Sequence, residues 1–205
     1  MIDLYFAPTG NGLRATVALE EAGLPYQIHR LDLYKGEQHS PGFLKINPAG
    51  LIPVIVDPDG PGGKPLILNQ SGAIVLYCAE KSGRFIPADA ATRALAMQYF
   101  VQAASDISGA SMTIFRLEVT APEKSTANVD YFKKRLKDAF LVCEQALQGN
   151  EYLVGELSVA DLMLYPSFAL RRSLVEDDEA YSNLHRWADN MASRPSVQRG
   201  MAYAG

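Results

Sequence analysis

Cysteine is scarce in this chain: only Cys78 and Cys143 occur among 205 residues, 65 positions apart. Two such cysteines make no disulfide framework, and without a Cys-x-x-Cys pair the protein has no dithiol of its own for redox chemistry. Each lies in an apolar stretch (Val75–Ala79, Phe140–Cys143), so both are expected to be buried structural thiols. There is no basic excess either. The net charge is −4 and the pI about 5.4, which argues against a nucleic-acid surface or a polybasic membrane patch. No apolar run approaches the ~18 residues of a membrane span. Met1-Ile2-Asp3-Leu4 carries no basic leader, so a cytoplasmic protein is expected. The three histidines, His29, His39 and His185, show no metal-ligand spacing, and no metal is expected.

What is present is ordinary globular composition, 48% hydrophobic and 20% charged, in a length that suits one domain or two small ones. Texture changes along the chain. Nine of the twelve prolines and eleven of the sixteen glycines fall at or before Pro87. That part also carries short β-rich runs. Ile2–Phe6 reads as a strand, Asn11–Ala22 as a helix stopped at Gly23, and Tyr26–Leu31 as a second strand. A strand–helix–strand unit of about thirty residues predicts a parallel pair with a right-handed crossover. A short helix is expected after Pro41. Ile52–Asp57 and Leu66–Leu68 read as hairpin strands around a turn-rich loop, and Ser71–Lys81 as a helix. Beyond Pro87 the pattern is helical: a long helix over 89–118, another over Asp130–Leu147, a helix-start box at Ser158–Asp161, and short helices at Asn183–Met191 and Ser196–Tyr203.

The β-α-β-β-β-α order, with a proline opening the third strand, is the thioredoxin-like order. Only X-Pro bonds populate the cis form cheaply, and a cis bond at Ile52-Pro53 is expected in this context. Gly60–Pro65 hints at a phosphate loop, but the spacing fails and Pro65 stands where Ser or Thr is needed.

Four stretches then act as a set. Asn47-Pro48-Ala49-Gly50-Leu51-Ile52-Pro53-Val54 resembles the N-P-x-G-x-[IV]-P-[AV] stretch of cytosolic glutathione transferases. Gln70-Ser71-Gly72-Ala73-Ile74 resembles their [EQ]-S-x-A-I stretch, Ser158–Asp161 their helix-start box, and Arg194–Val197 their closing R-P-S-V segment. The N-terminal part is most similar to the bacterial Nu-like class and to fungal nitrogen-regulator relatives, through Tyr5–Thr9, Lys35–Gln38 and Phe43–Pro48. Gly10 and Gln70 depart from the residues common there, proline and glutamate.

The resemblance implies a glutathione transferase fold: a thioredoxin-like α/β domain over 1–83, a linker over 84–89 and an all-helical domain over 90–205. It implies glutathione as ligand, bound at Asn11, Gln38, Ile52, Pro53, Gln70 and Ser71. The α-carboxylate would sit at the helix N-terminus of Ser71, where free N–H groups and the dipole favour an anion. A serine there is also an ordinary helix cap. The Ile52 backbone would pair with the cysteinyl part as an added strand, and Gln38 would reach the glycyl carboxylate.

Thiol activation falls to Thr9 and Asn11 by the same resemblance, since no cysteine or serine lies between Ala7 and Gly12. Thr9 is equally readable as a helix cap. Arg14 either supports the site or faces solvent, and Tyr5 reads as core. Tyr99, Phe100, Ala103, Arg116 and Tyr165 are the candidate contacts for a second substrate, an electrophile or a disulfide. A homodimer is implied by the family. The alternative is a non-catalytic glutathione-binding or regulatory module.

Overall fold

Ile2, Leu4 and Phe6 are buried while Asp3 and Tyr5 between them are half-exposed, and this alternation makes Ile2–Phe6 a strand, β1. The chain, seen as a computed structural model, is described over residues 1–204. It divides into two units: Met1–Arg84 with the segment from Arg194 onward, and Phe85–Ser193.

In the first unit β1 leads into α1 (Gly10–Ala22), then β2 (Tyr26–Arg30), α2 (Pro41–Ile46), β3 (Val54–Asp57), β4 (Leu66–Asn69) and α3 (Ser71–Ser82). The sheet order is β2-β1-β3-β4, with β1 and β2 parallel and β3 antiparallel to both neighbours. Ile52-Pro53 is cis. Gly12 is required by a close approach: a Cβ there would lie 2.2 Å from the Ala7 carbonyl oxygen and 2.8 Å from the Phe6 ring. That contact seats α1 tightly on the end of β1.

Helix α9 (Pro195–Met201) packs on α1 within the first unit. The cause is a set of long-range contacts. Thr16 Oγ1 donates to the Gly200 carbonyl at 2.8 Å, and Arg194 and Ser196 both reach Glu21.

The second unit holds α4 (Ala90–Gln102), α5 (Ser108–Phe115), α6 (Thr126–Ala146), α7 (Val159–Ala169) and α8 (Ser182–Ser193). The expected long helix over 89–118 is interrupted by two π-helical segments, Ala103–Ile107 and Arg116–Thr120. Phe140, Phe168 and Trp187 form the aromatic core, with ring centroids 5.2 and 6.1 Å apart. Ser158 and Asp161 form a capping box at the start of α7. No helix among the described residues is long and apolar enough to cross a membrane.

Candidate functional site

Strand register determines what meets at one edge of the sheet. Val54 pairs with both Tyr5 and Asn69, and Phe6 pairs with Arg30. The C-terminal ends of β1, β2 and β4 and the N-terminal end of β3 therefore share that edge. Thr9 and Asn11 follow β1, Gln38 follows β2, Ile52 and Pro53 precede β3, and Gln70 and Ser71 follow β4.

Thr9 is the N-cap of α1. Its Oγ1 accepts from the Gly12 N–H at 3.2 Å. That bond uses a lone pair, and the hydroxyl hydrogen has no acceptor among the described residues. The cap and donor roles are thus compatible on one side chain.

Asn11 and Ser71, sixty positions apart, are brought within 3.4 Å, with the Ser71 hydroxyl donating to Asn11 Oδ1. Arg14 joins them. Its Nη1 donates to Asn11 Oδ1 and, at 3.3 Å, to Ser71 Oγ. Arg14 is 2% exposed, so the solvent-facing alternative for it is excluded. Burial pulls its guanidinium down to about 10, which leaves it charged at neutral pH.

Ser71 opens α3. The N–H groups of Ser71, Gly72 and Ala73 have no acceptor among the described residues, and the next one, of Ile74, returns to the Gln70 carbonyl at 3.0 Å. Gln70 adopts φ 71°, ψ 116° and makes no side-chain cap. A left-handed φ on a non-glycine residue costs about 1–2 kcal/mol, so the surrounding turn must hold it there.

The segment before β3 is shaped by Asn47, which is 2% exposed. Its Nδ2 donates to the Leu51 carbonyl at 2.7 Å, and its Oδ1 accepts from the Ala49 N–H at 3.2 Å. This is the physical content of the Asn-Pro-x-Gly motif: one buried amide ties the loop leading to the cis proline. Ile52 lies outside the ladder, and its backbone N–H and C=O make no hydrogen bond within the described residues. Gln38 Oε1 is buried without a partner. A buried amide oxygen without a partner costs about 1–3 kcal/mol, and a ligand donor, or a donating amide after a flip, would relieve it.

Tyr5 is half-buried and stacks on His29 at 4.9 Å. Tyr99 is half-buried and Arg116 exposed, while Phe100 and Ala103 are buried. Tyr165 packs edge-on against Trp187 at 6.0 Å and is 6% exposed. Its ring packs among the core side chains of the second unit. Sequence reading could not separate these residues, because an apolar helix face looks the same whether it meets a core or a ligand. Both cysteines are buried, and burial pushes both thiols up to about 12. No group of three or more His, Cys, Asp or Glu able to hold a metal occurs among the described residues.

Comparison with known proteins gives consistent matches over the whole chain. The family model described as Glutathione S-transferase, N-terminal domain matches residues 11–81, and that for the C-terminal domain matches residues 92–195. The chain is 34% identical to the disulfide-bond oxidoreductase YfcG of Escherichia coli (strain K12), over all of this chain and 96% of that protein. A glutathione transferase from Pseudomonas putida, solved with one glutathione disulfide per subunit, matches with a TM-score of 0.91 and 32% identity over 100% of this chain and 92% of that one. A Burkholderia graminis glutathione transferase with two glutathione molecules per subunit matches with a TM-score of 0.88 and 34% identity over 98% and 87%.

Proposed function

The chain belongs to the glutathione transferase family, and on that footing we propose that it binds glutathione, holds the thiol as thiolate and passes it to a disulfide or another electrophile. The unbonded N–H groups opening α3 suit the α-carboxylate. The free Ile52 backbone suits the cysteinyl unit, and the Gln38 amide the glycyl end. Thr9 and Asn11 supply donors to the sulfur. A donor to the charged form lowers a thiol's pKa, and each tenfold gain in thiolate corresponds to about 1.4 kcal/mol.

Among acceptors, a disulfide fits best. With Cys78 and Cys143 buried, the ligand is the source of reactive sulfur, as in a disulfide exchange that needs no protein thiol. The relative named a disulfide-bond oxidoreductase and the neighbour holding glutathione disulfide support it. The thiolate attacks one sulfur of the disulfide, forming a mixed disulfide and expelling the other sulfur as a thiolate that takes up a proton. A second glutathione thiolate then attacks the glutathione sulfur of that intermediate. Glutathione disulfide forms and the second substrate thiol leaves.

Tyr99 and Arg116 remain proposed contacts for the second substrate. A homodimer in the cytoplasm is the form the family suggests. The test is glutathione-dependent turnover of a model disulfide by the Cys78→Ala/Cys143→Ala double variant. Retained turnover is expected. Its loss in a folded double variant would sink the ligand-sulfur route, and glutathione binding without any thiolate would favour a binding module.

A further inference from the structure

Asn11 has two ends with opposite chemistry. Its Oδ1 only accepts and its Nδ2 only donates, and the heavy-atom shape of the amide is nearly the same either way round. Turned oxygen-first toward a bound thiol, the amide would hold the proton on sulfur. Turned nitrogen-first, it would favour the thiolate. Nothing in the sequence at Asn11 decides between the two.

Arg14 decides it. A guanidinium carries donors and no acceptor. Arg14 stands one turn after Asn11 on the same helix face, and its Nη1 donates to Asn11 Oδ1. The same Nη1 donates to Ser71 Oγ at 3.3 Å, so the Ser71 hydroxyl has its own hydrogen left to give, and gives it to Asn11 Oδ1 at 3.4 Å. Two donors from two different helices thus converge on one oxygen. With Oδ1 occupied, Nδ2 is held on the opposite edge of the planar amide, and it has no partner among the described residues.

We propose that Arg14 is a positioning residue that locks the Asn11 amide with its oxygen inward, so that Nδ2 presents donors to the glutathione sulfur. The proposal rests on the glutathione reading above. It gives the buried cation a role that a solvated arginine could not have. The lock also ties the thiolate donor to Ser71, the first residue of the anion-binding helix.

The experiment is a pH titration of the ultraviolet thiolate absorbance of the glutathione complex, in the full-length protein, for wild type, Arg14→Met, Arg14→Lys, Asn11→Ala and Asn11→Asp. Met keeps the length of the stem and removes every donor. About tenfold less thiolate is expected in Arg14→Met at a given pH below the wild-type titration, a change equivalent to one pH unit in midpoint. Arg14→Lys, which is also donor-only, should keep most of the thiolate. Adding Asn11→Ala to Arg14→Met should remove little more, because both changes act through one amide. Asn11→Asp retains an acceptor for Arg14 but offers no donor to sulfur, and it should lose thiolate as Asn11→Ala does. That variant keeps the test alive if Arg14→Met does not fold.

A wild-type midpoint in Arg14→Met or in Asn11→Asp overturns the proposal. So does a further tenfold loss when Arg14→Met is combined with Asn11→Ala. A wild-type complex whose glutathione titrates like free glutathione would instead overturn the reading of the site itself.

Discussion

Glu21 and Arg194 lie 173 positions apart and form a two-pronged ion pair, with Arg194 Nε at 2.7 Å from one carboxylate oxygen and Nη2 at 2.8 Å from the other. Glu21 is 3% exposed, and Ser196 Oγ donates to it at 2.5 Å. A fork-to-fork geometry of this kind is directional as well as strong. It fastens the C-terminal segment to the last turns of α1, whose first turns carry Thr9, Asn11 and Arg14.

Burial raises the Glu21 carboxyl, but the hydrogen bonds from Arg194 and Ser196 and the nearby charges of Arg194 and Arg84 outweigh it and hold the group below its usual range. A lowered folded-state pKa contributes stability above the unfolded-state value, and that contribution is lost as pH falls through the folded-state value. Glu21→Gln should therefore cost about 1.5–3 kcal/mol at neutral pH, the range for hydrogen bonds to a charged group, and flatten the acid limb of the stability curve. Thermal melts across the acid range read both effects. A parallel acid limb in the variant would exclude Glu21 as its source.

Gly200 sits where α9 crosses α1. A Cβ there would lie 2.7 Å from Val17 Cα and 2.8 Å from Val17 N, and backbone atoms cannot step aside as a flexible side chain can. Gly200→Ala should destabilise by about 1–3 kcal/mol through overpacking. Denaturant titration measures it, and a neutral result would mean that α9 can shift freely on α1.

Asp161 gathers four donors: the N–H of Leu153 at 3.0 Å, the N–H of Ser158 at 2.9 Å, Ser158 Oγ at 3.0 Å and Trp187 Nε1 at 3.0 Å. Burial pushes its carboxyl up, against these bonds. Asp161→Asn replaces an acceptor by a donor facing donors, at a cost of about 2–4 kcal/mol. Since Trp187 is the only tryptophan and bonds to Asp161 directly, its fluorescence reports the change. The expected result is an earlier denaturant midpoint together with an altered native emission.

On the proposed reading Thr9 has two roles, helix cap and donor to the thiolate, that substitution separates. Thr9→Ala should lose about 1 kcal/mol of helix capping and also reduce the thiolate fraction of bound glutathione. Thr9→Ser should preserve both, because a hydroxyl is retained. Full thiolate in a folded Thr9→Ala variant would leave Asn11 as the sole donor to sulfur.

Local order was legible from the chain. The strands, the short helix after Pro41, the capping box at Ser158–Asp161 and the proline-led third strand all depend on neighbours within a few positions, where residue type and spacing act directly. The burial of Cys78 and Cys143 was legible too, from apolar neighbours on the same helix face. Other features depend on partners far away in sequence. Arg14 could equally have faced solvent, until Ser71, 57 positions on, was brought to it by the pairing of β3 with β4. The packing of the last helix on α1 likewise rests on contacts to Thr16 and Glu21, far away in sequence. Periodicity tells that a face is apolar, and only the neighbours it meets decide whether that face is core or binding surface.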